Sequence, residues 1–456
     1  MSSLFRTGFL DLPDEVIEST LIYLRDDHTL RDFVMVATVC HRLHDMVTPM
    51  IYHTVWLFNS VAGERFAKTI ANHPALIPHV RELQIHNHGN YGYDDTNKPP
   101  FPCPEDLEHV IAQLFNLQSL AMRSDWFQNA ADRRRALPCD LQRVINKWQN
   151  ATLSWQLGVP AKPQVLPNLK TCNIGFDFIP EKGYTFSTME PIFHHSGLES
   201  LSITNICFEQ VGNNRCPSPL LTRSTNLKEL VLLNCDVNPE GLRQILSLPH
   251  ALRRFTMKGE IQFSEYGHEH TANRQDYMDA LRTHADSLEF LDVDLYYTSG
   301  PGVDLRGFSV LRELTLSTNE LTGDYHKRSG EVGAVLPPSL RRLVLRDEFG
   351  TFPLAAILVK VAHGQLPVLN TVACHTSPDS LEDEQYMEED EEDEDEDDVI
   401  YSPDFSLSKK REKNMELYAD AFKNREIGFS IDDKPDPLWA KNNCPCGCWD
   451  YRYRMK

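Results

Sequence analysis

Between residues 80 and 374 the apolar positions keep returning in one phrase: apolar, two intervening residues, apolar, one residue, apolar. It reads Val80, Leu83, Ile85 and then Leu117, Leu120, Met122. It recurs from Leu169 to Ile174, Leu198 to Ile203, Leu227 to Leu232 and Leu252 to Met257. Four further copies run from Leu288 to Val293, Leu311 to Leu316, Leu340 to Leu345 and Leu369 to Cys374. The last two apolar residues of each phrase are separated by one position, so they point to one side of a short strand. Helical stretches lie between the phrases. In Pro239–Leu248, Leu242, Ile245 and Leu246 share one face, and Asp276–Leu288 is a second such stretch. A single strand and helix cannot bury its own apolar face, whereas stacked units bury all of them. The pattern predicts an α/β chain with a parallel sheet on a concave face and helices outside.

Successive phrases start 37, 52, 29, 29, 25, 36, 23, 29 and 29 residues apart. Several of these spacings match the 20–29 residues of a leucine-rich repeat, which the phrase resembles. The asparagine usual after the strand is mostly missing, and Asn234 after Leu232 is the nearest match. The long gap before Leu169 holds Trp148 and Trp155, and reads as an insertion or a degenerate repeat. The competing architecture is a doubly wound α/β domain, which also alternates strands with helices.

The N-terminal segment has a different pattern. Ile17, Leu21 and Leu24 stand at helical spacing behind Pro13, and Asp26-Asp27 ends that stretch. Leu30, Phe33, Val34 and Ala37 give a second apolar stripe, and Leu43, Met46, Val47 and Met50 a third. Three short amphipathic helices follow. A unit this small buries little core alone, which predicts apolar surface shared with a partner. The ordered string Leu12-Pro13 with Glu15, then Val39-Cys40 with Arg42-Leu43-His44, then Pro49 and Tyr52, resembles the F-box, in the form abundant among fungal proteins. Arg42-Leu43-His44 stands where many members carry a tryptophan. The resemblance implies docking on a Skp-type adaptor and, through it, on a cullin–RING ubiquitin ligase. By position the implied contacts are Leu12, Pro13, Ile17, Leu21, Leu24, Val39, Cys40 and Leu43. Pro13, Ile17 and Leu21 are expected to be partly exposed in the isolated chain.

Composition modifies this picture in a few places. Fifteen acidic and no basic residues lie between Asp379 and Asp398, so of the net charge of −21 only −21 + 15 = −6 belongs to the rest. That run cannot bury enough apolar area to offset ordering entropy, which predicts disorder. No dense basic face suggests nucleic acid, and no long apolar run suggests a membrane span. The start of the chain lacks a signal-peptide core, and eleven scattered cysteines argue for a reducing compartment, cytoplasmic or nuclear. The Asn150 sequon is then silent. Lys409–Arg425 has helical composition, with Met415, Tyr418, Ala419 and Phe422 on one stripe. Cys444, Cys446 and Cys448 could chelate a soft metal, but no second pair lies nearby; a turn packing Trp449 is the stronger reading. His268-Glu269-His270 reads as a solvated loop, and Cys40 as a small hydrophobe. No nucleophile elbow, phosphate-binding glycine loop or zinc-protease motif is present, and no cofactor is expected.

These readings divide the chain into residues 9–57, the F-box-like segment; 58–79, a linker helix; 80–376, about ten repeats; 377–408, acidic; and 409–456, a C-terminal helix and cysteine-rich tail. The expected function is non-catalytic: an adaptor-binding segment joined to repeats that capture a protein target for ubiquitylation. The alternative is a ligase-independent scaffold or inhibitor. The target-binding residues are expected between the core positions of the strands: Arg254, Lys258, Phe290, Asp292, Asp294, Arg342 and Arg346. Mixed charge around an aromatic anchor suits protein recognition.

Overall fold

The computed structural model describes residues 9–27, 30–58, 60–87, 105–124, 166–176, 192–204, 207–208, 222–259, 273–295, 298, 300–323, 334–347, 354–376 and 415–432. The chain forms two compact units, Met1–Leu252 and Arg253–Lys456. Each is described by itself.

The first unit begins with a short 3-10 turn, Phe9–Asp11, and three helices: α1 (Asp14–Asp27), α2 (Leu30–Ala37) and α3 (His41–Ile51). Helix α1 starts directly after Pro13, whose carbonyl accepts from Val16 and Ile17, each at 3.1 Å. Ile17, Leu21, Phe33, Leu43 and Val47 form the core of the three helices, with Leu12, Cys40 and Met46 packed against it. Arg42 fixes the entry of the chain. Its Nη2 donates to the Leu12 carbonyl at 2.8 Å and its Nε to Asp14 at 2.7 Å, and its Nη1 donates to the Leu10 carbonyl. One guanidinium therefore ties the start of α1 to the start of α3.

Eight strands follow among the described residues of this unit: β1 (Thr54–Leu57), β2 (Glu82–Asn87), β3 (Ser119–Ser124), β4 (Thr171–Phe176), β5 (Ser200–Thr204), β6 (Cys207–Phe208), β7 (Glu229–Leu233) and β8 (Asp236–Val237). β6 and β8 pair with each other, and the other six form a parallel sheet in the order β1-β2-β3-β4-β5-β7. The sheet starts earlier than the repeated phrase does. β1 pairs with β2, so the helix read from the sequence as a linker (α4, Ser60–Asn72) is the first return helix of the repeats. Val55 and Leu57 alternate inward there as in any later strand, but the exposed Trp56 between them masks the phrase. β3 pairs directly with β4. The long gap, residues 125–165, lies outside the described residues.

The second unit carries β9 (Arg254–Lys258), β10 (Phe290–Val293), β11 (Glu313–Ser317), β12 (Arg342–Asp347), β13 (Thr371–Thr376) and β14 (Gly428–Asp432), all parallel and paired in chain order. Core positions stack in phase: Phe255 lies beside Leu291, Leu291 beside Leu314, Leu314 beside Leu343 and Leu343 beside Val372. In both units strand order follows chain order without the reversal that defines a doubly wound sheet. The C-terminal helix expected over 409–425 is present at 415–423, and the chain then adds β14 beside β13. Phe422 is fully buried and stacks on Phe429, 5.4 Å between ring centres.

The same backbone lock recurs along both units. The carbonyl just before one strand accepts two N–H groups at the start of the next. Arg81 accepts from Gln118 and Ser119 at 2.7 and 3.0 Å, Arg253 from Glu289 and Phe290 at 2.8 and 3.0 Å, and Arg341 from Asn370 and Thr371 at 2.9 and 3.1 Å. Side chains add a second rung. Asn116, Asn168 and Asn226 donate to the carbonyls of Pro78, Phe115 and Ser196, each at 2.9 Å, and Ser339 donates to that of Leu311 at 2.8 Å. The ladder asparagine sought after the strand thus stands before the phrase instead. Asn234 is a left-handed turn residue, φ 50°. The return helix Pro239–Ser247 buries Leu242, Ile245 and Leu246, as its spacing predicts, and Asn238 caps it by accepting from Gly241 N at 2.7 Å.

Candidate protein-interaction surfaces

In the helical segment the apolar residues divide into those that make a core and those left outside it. Ile17, Leu21 and Leu43 are buried within the segment's own core. The expectation that Ile17 and Leu21 are partly exposed is therefore corrected. Helical periodicity tells which residues share a face, but not whether the chain itself covers that face. Leu12 and Cys40 are half-buried against this core, Pro13 is exposed, and the side chain of Leu24 lies outside the described residues. Val39, by contrast, is 64% exposed.

Other outward residues were not singled out by the sequence reading. Met35 is 61% exposed and Tyr23 73%, while Val16, Ile22 and Val34 each keep more than two fifths of their surface. Val16 and Tyr23, with Glu15, Ser19 and Thr20, line an open groove of about 530 Å³ along α1. The signal for α2 was in the sequence. Five successive apolar residues, Phe33 to Ala37, on an eight-residue helix go all the way round it, and one side cannot be internal.

The second surface is the face of the β9–β13 sheet opposite its core. Register brings Arg254, Phe290, Glu313, Arg342 and Thr371 into one row across the strand starts. Thr256, Asp292, Thr315, Val344 and Ala373 make the next row, and all five are buried. The sequence-predicted residues come together in two groups. Arg254 lies over the Phe290 ring, 4.1 Å from its centre. Asp292 is held from two sides: Lys258 Nζ approaches to 2.9 Å, and Arg346 bonds its other oxygen across the intervening strand β11. Arg346 also reaches Asp294 at 3.9 Å and the Val293 carbonyl at 3.2 Å.

Asp292 is only 3% exposed, so it organises this face and is not itself open to a partner. Two cations around one buried carboxylate satisfy the condition under which such a charge is tolerated. Arg342, outside this network, is exposed at the strand start. At the start of the same strands sit residues the sequence reading passed over. Arg253, Arg312 and Arg341 are exposed, with Glu289 lying 3.9 Å from each of the first two.

Elsewhere the titratable groups have local explanations. Burial pushes the Cys172 thiol up to about 12. The Lys228 ammonium, 2.6 Å away, lowers the pKa of Glu199, and the Arg306 guanidinium lowers that of Asp304. Among the described residues no three His, Cys, Asp or Glu side chains are grouped to hold a metal ion, and no helix is long and apolar enough to cross a membrane. His268, His270, the acidic run and Cys444, Cys446 and Cys448 lie outside the described residues. No family model matches the chain, and no curated protein matches it.

Proposed function

We propose that this chain is the target-capturing subunit of a Skp–cullin–F-box-type ubiquitin ligase, with residues 9–57 as its F-box and the repeats as a leucine-rich-repeat-like solenoid. The reaction is then catalysed elsewhere. The chain's part is to hold a target at high effective concentration near a ubiquitin-charged enzyme. The observation that carries this reading is the apolar surface left on a three-helix segment whose own core is already filled. Val16, Tyr23, Val34, Met35 and Val39 remain outside a core made by Ile17, Leu21, Phe33, Leu43 and Val47. Covering such side chains is worth about 1.5–3 kcal/mol each, enough for specific capture by a complementary partner. The ordered F-box-like string supplies the identity of that partner, a Skp-type adaptor.

The test uses Met35→Asp with Val39→Asp in the full chain. Co-purification of a Skp-type adaptor should be lost while the thermal transition stays within about 2 °C, because neither side chain belongs to the core. Unchanged adaptor capture by this double variant would sink the assignment. Ile17→Ala serves as the contrast: its effect should come through unfolding of the helices, at about 2–5 kcal/mol.

A further inference from the structure

The start of the β9–β12 strands is the one place in the second unit where described arginines crowd together on the surface. The eight residues at those four strand starts are Arg253-Arg254, Glu289-Phe290, Arg312-Glu313 and Arg341-Arg342. They hold five arginines and two glutamates around a single aromatic ring, in a chain whose net charge is −21. All five arginines are exposed. Register fixes their spacing: Arg254, Phe290, Glu313 and Arg342 occupy four adjacent parallel strands. Glu289 is shared at 3.9 Å between Arg253 and Arg312, which leaves the patch with a surplus of positive charge. Phe290, half-buried under Arg254, gives that patch a flat apolar floor.

We infer that this edge binds an extended acidic peptide segment, and that such a segment is the element recognised in the target. The inference rests on the reading of this unit as target-capturing. Arginine is the cation suited to the task, because its planar fork matches a carboxylate in two bonds and its face stacks on an aromatic ring. The geometry sets the spacing of the ligand. Three strand-to-strand steps separate Arg254 from Arg342, about 14 Å, and an extended peptide covers that in about four residues. Two carboxylates four residues apart, with an aromatic or apolar side chain between them beside the Arg254–Phe290 pair, match the patch. The interspersed Glu289 and Glu313 oppose a uniformly phosphate-lined ligand, so nucleic acid is the less complementary partner.

The test measures binding of a fluorescein-labelled peptide, two glutamates four residues apart with a central phenylalanine, to the purified full chain by anisotropy. Wild type should bind it, more weakly as salt rises, and should bind the glutamine-substituted peptide at least tenfold more weakly. Arg341→Glu with Arg342→Glu should lower affinity for the glutamate peptide at least tenfold while adaptor co-purification is unchanged. Neither residue belongs to the Lys258–Asp292–Arg346 network, so the sheet keeps its ion pairs. Phe290→Ala, a variant that leaves the charges in place, should reduce binding several-fold. Equal binding of the two peptides, undiminished binding by the double-glutamate variant, or a single-stranded RNA bound in preference to the peptide overturns the inference. If wild type binds the peptide but captures no adaptor, the peptide site stands and the ligase reading alone falls.

Discussion

Burial decides what individual titratable residues here can do, and Cys172 is the clearest case. It occupies a core position of β4, in register between Leu120 and Leu201. Surrounded by apolar side chains, its thiolate has nothing to stabilise it, and its pKa rises from the ordinary 9.0 to about 12. A group whose folded-state pKa is raised contributes its stability fully below the unfolded value. That stability is then lost as pH climbs from about 9 towards 12, where the unfolded thiol ionises and the folded one does not. The native protein at pH 8 should therefore alkylate with iodoacetamide at the half-buried Cys40 and Cys235 before Cys172, with Cys172 at least tenfold slower. Mass-spectrometric mapping of the labelled sites reads this out. Labelling of Cys172 at the rate of the other two would place it outside the core.

At the scale of elements, the ten phrases were legible because each is a local pattern of period two that any stacked strand must keep. Strands β1 and β14, before and after them, were not legible as repeats. β1 has only four residues, and its central Trp56 is outward and exposed. β14 does carry its own alternation, Ile427, Phe429 and Ile431, but it stands after an acidic run that reads as the end of the fold. The outward faces were legible only in part. Periodicity placed Arg254, Phe290 and Arg346 on the correct side of the sheet. It could not foresee that Asp292, on that same side, is enclosed by Lys258 and Arg346, because that contact skips a strand. Nor could it tell that Ile17 faces inward while its neighbour Val16 faces out. The last element makes a sharp test. Phe422 is fully buried in the C-terminal helix and stacked on Phe429 of β14. Replacing it with alanine removes an aromatic core side chain, at a cost of about 3–5 kcal/mol. Hydrogen exchange should then show backbone amides of β14 losing protection while those of β2 and β3 keep theirs. Undiminished protection of β14 would mean that the helix at 415–423 does not hold it in place.

At the scale of the whole molecule, β14 changes the meaning of the acidic run. Its flanks are both anchored, since β13 ends at Thr376 and β14 pairs with β13 after the helix at 415–423. The run is thus a connection within a folded unit, and its length enters stability through loop closure. Closure entropy grows slowly with length, about 0.6 kcal/mol for each doubling. Deleting residues 379–398 roughly halves the connection 377–414, so the thermal transition should move by about 2 °C or less. The same deletion takes the net charge from −21 to −6, since −21 + 15 = −6, and removes no residue of the described core. Deleting 379–432 instead also removes the helix and β14. It leaves Val372 and Cys374 of β13 beside an open strand edge, and should lower the transition far more and promote aggregation. Differential scanning calorimetry of the two deletions separates the cases. A large loss from the shorter deletion alone would show that the acidic run packs on the fold, and that the C-terminal unit depends on it as well as on β14.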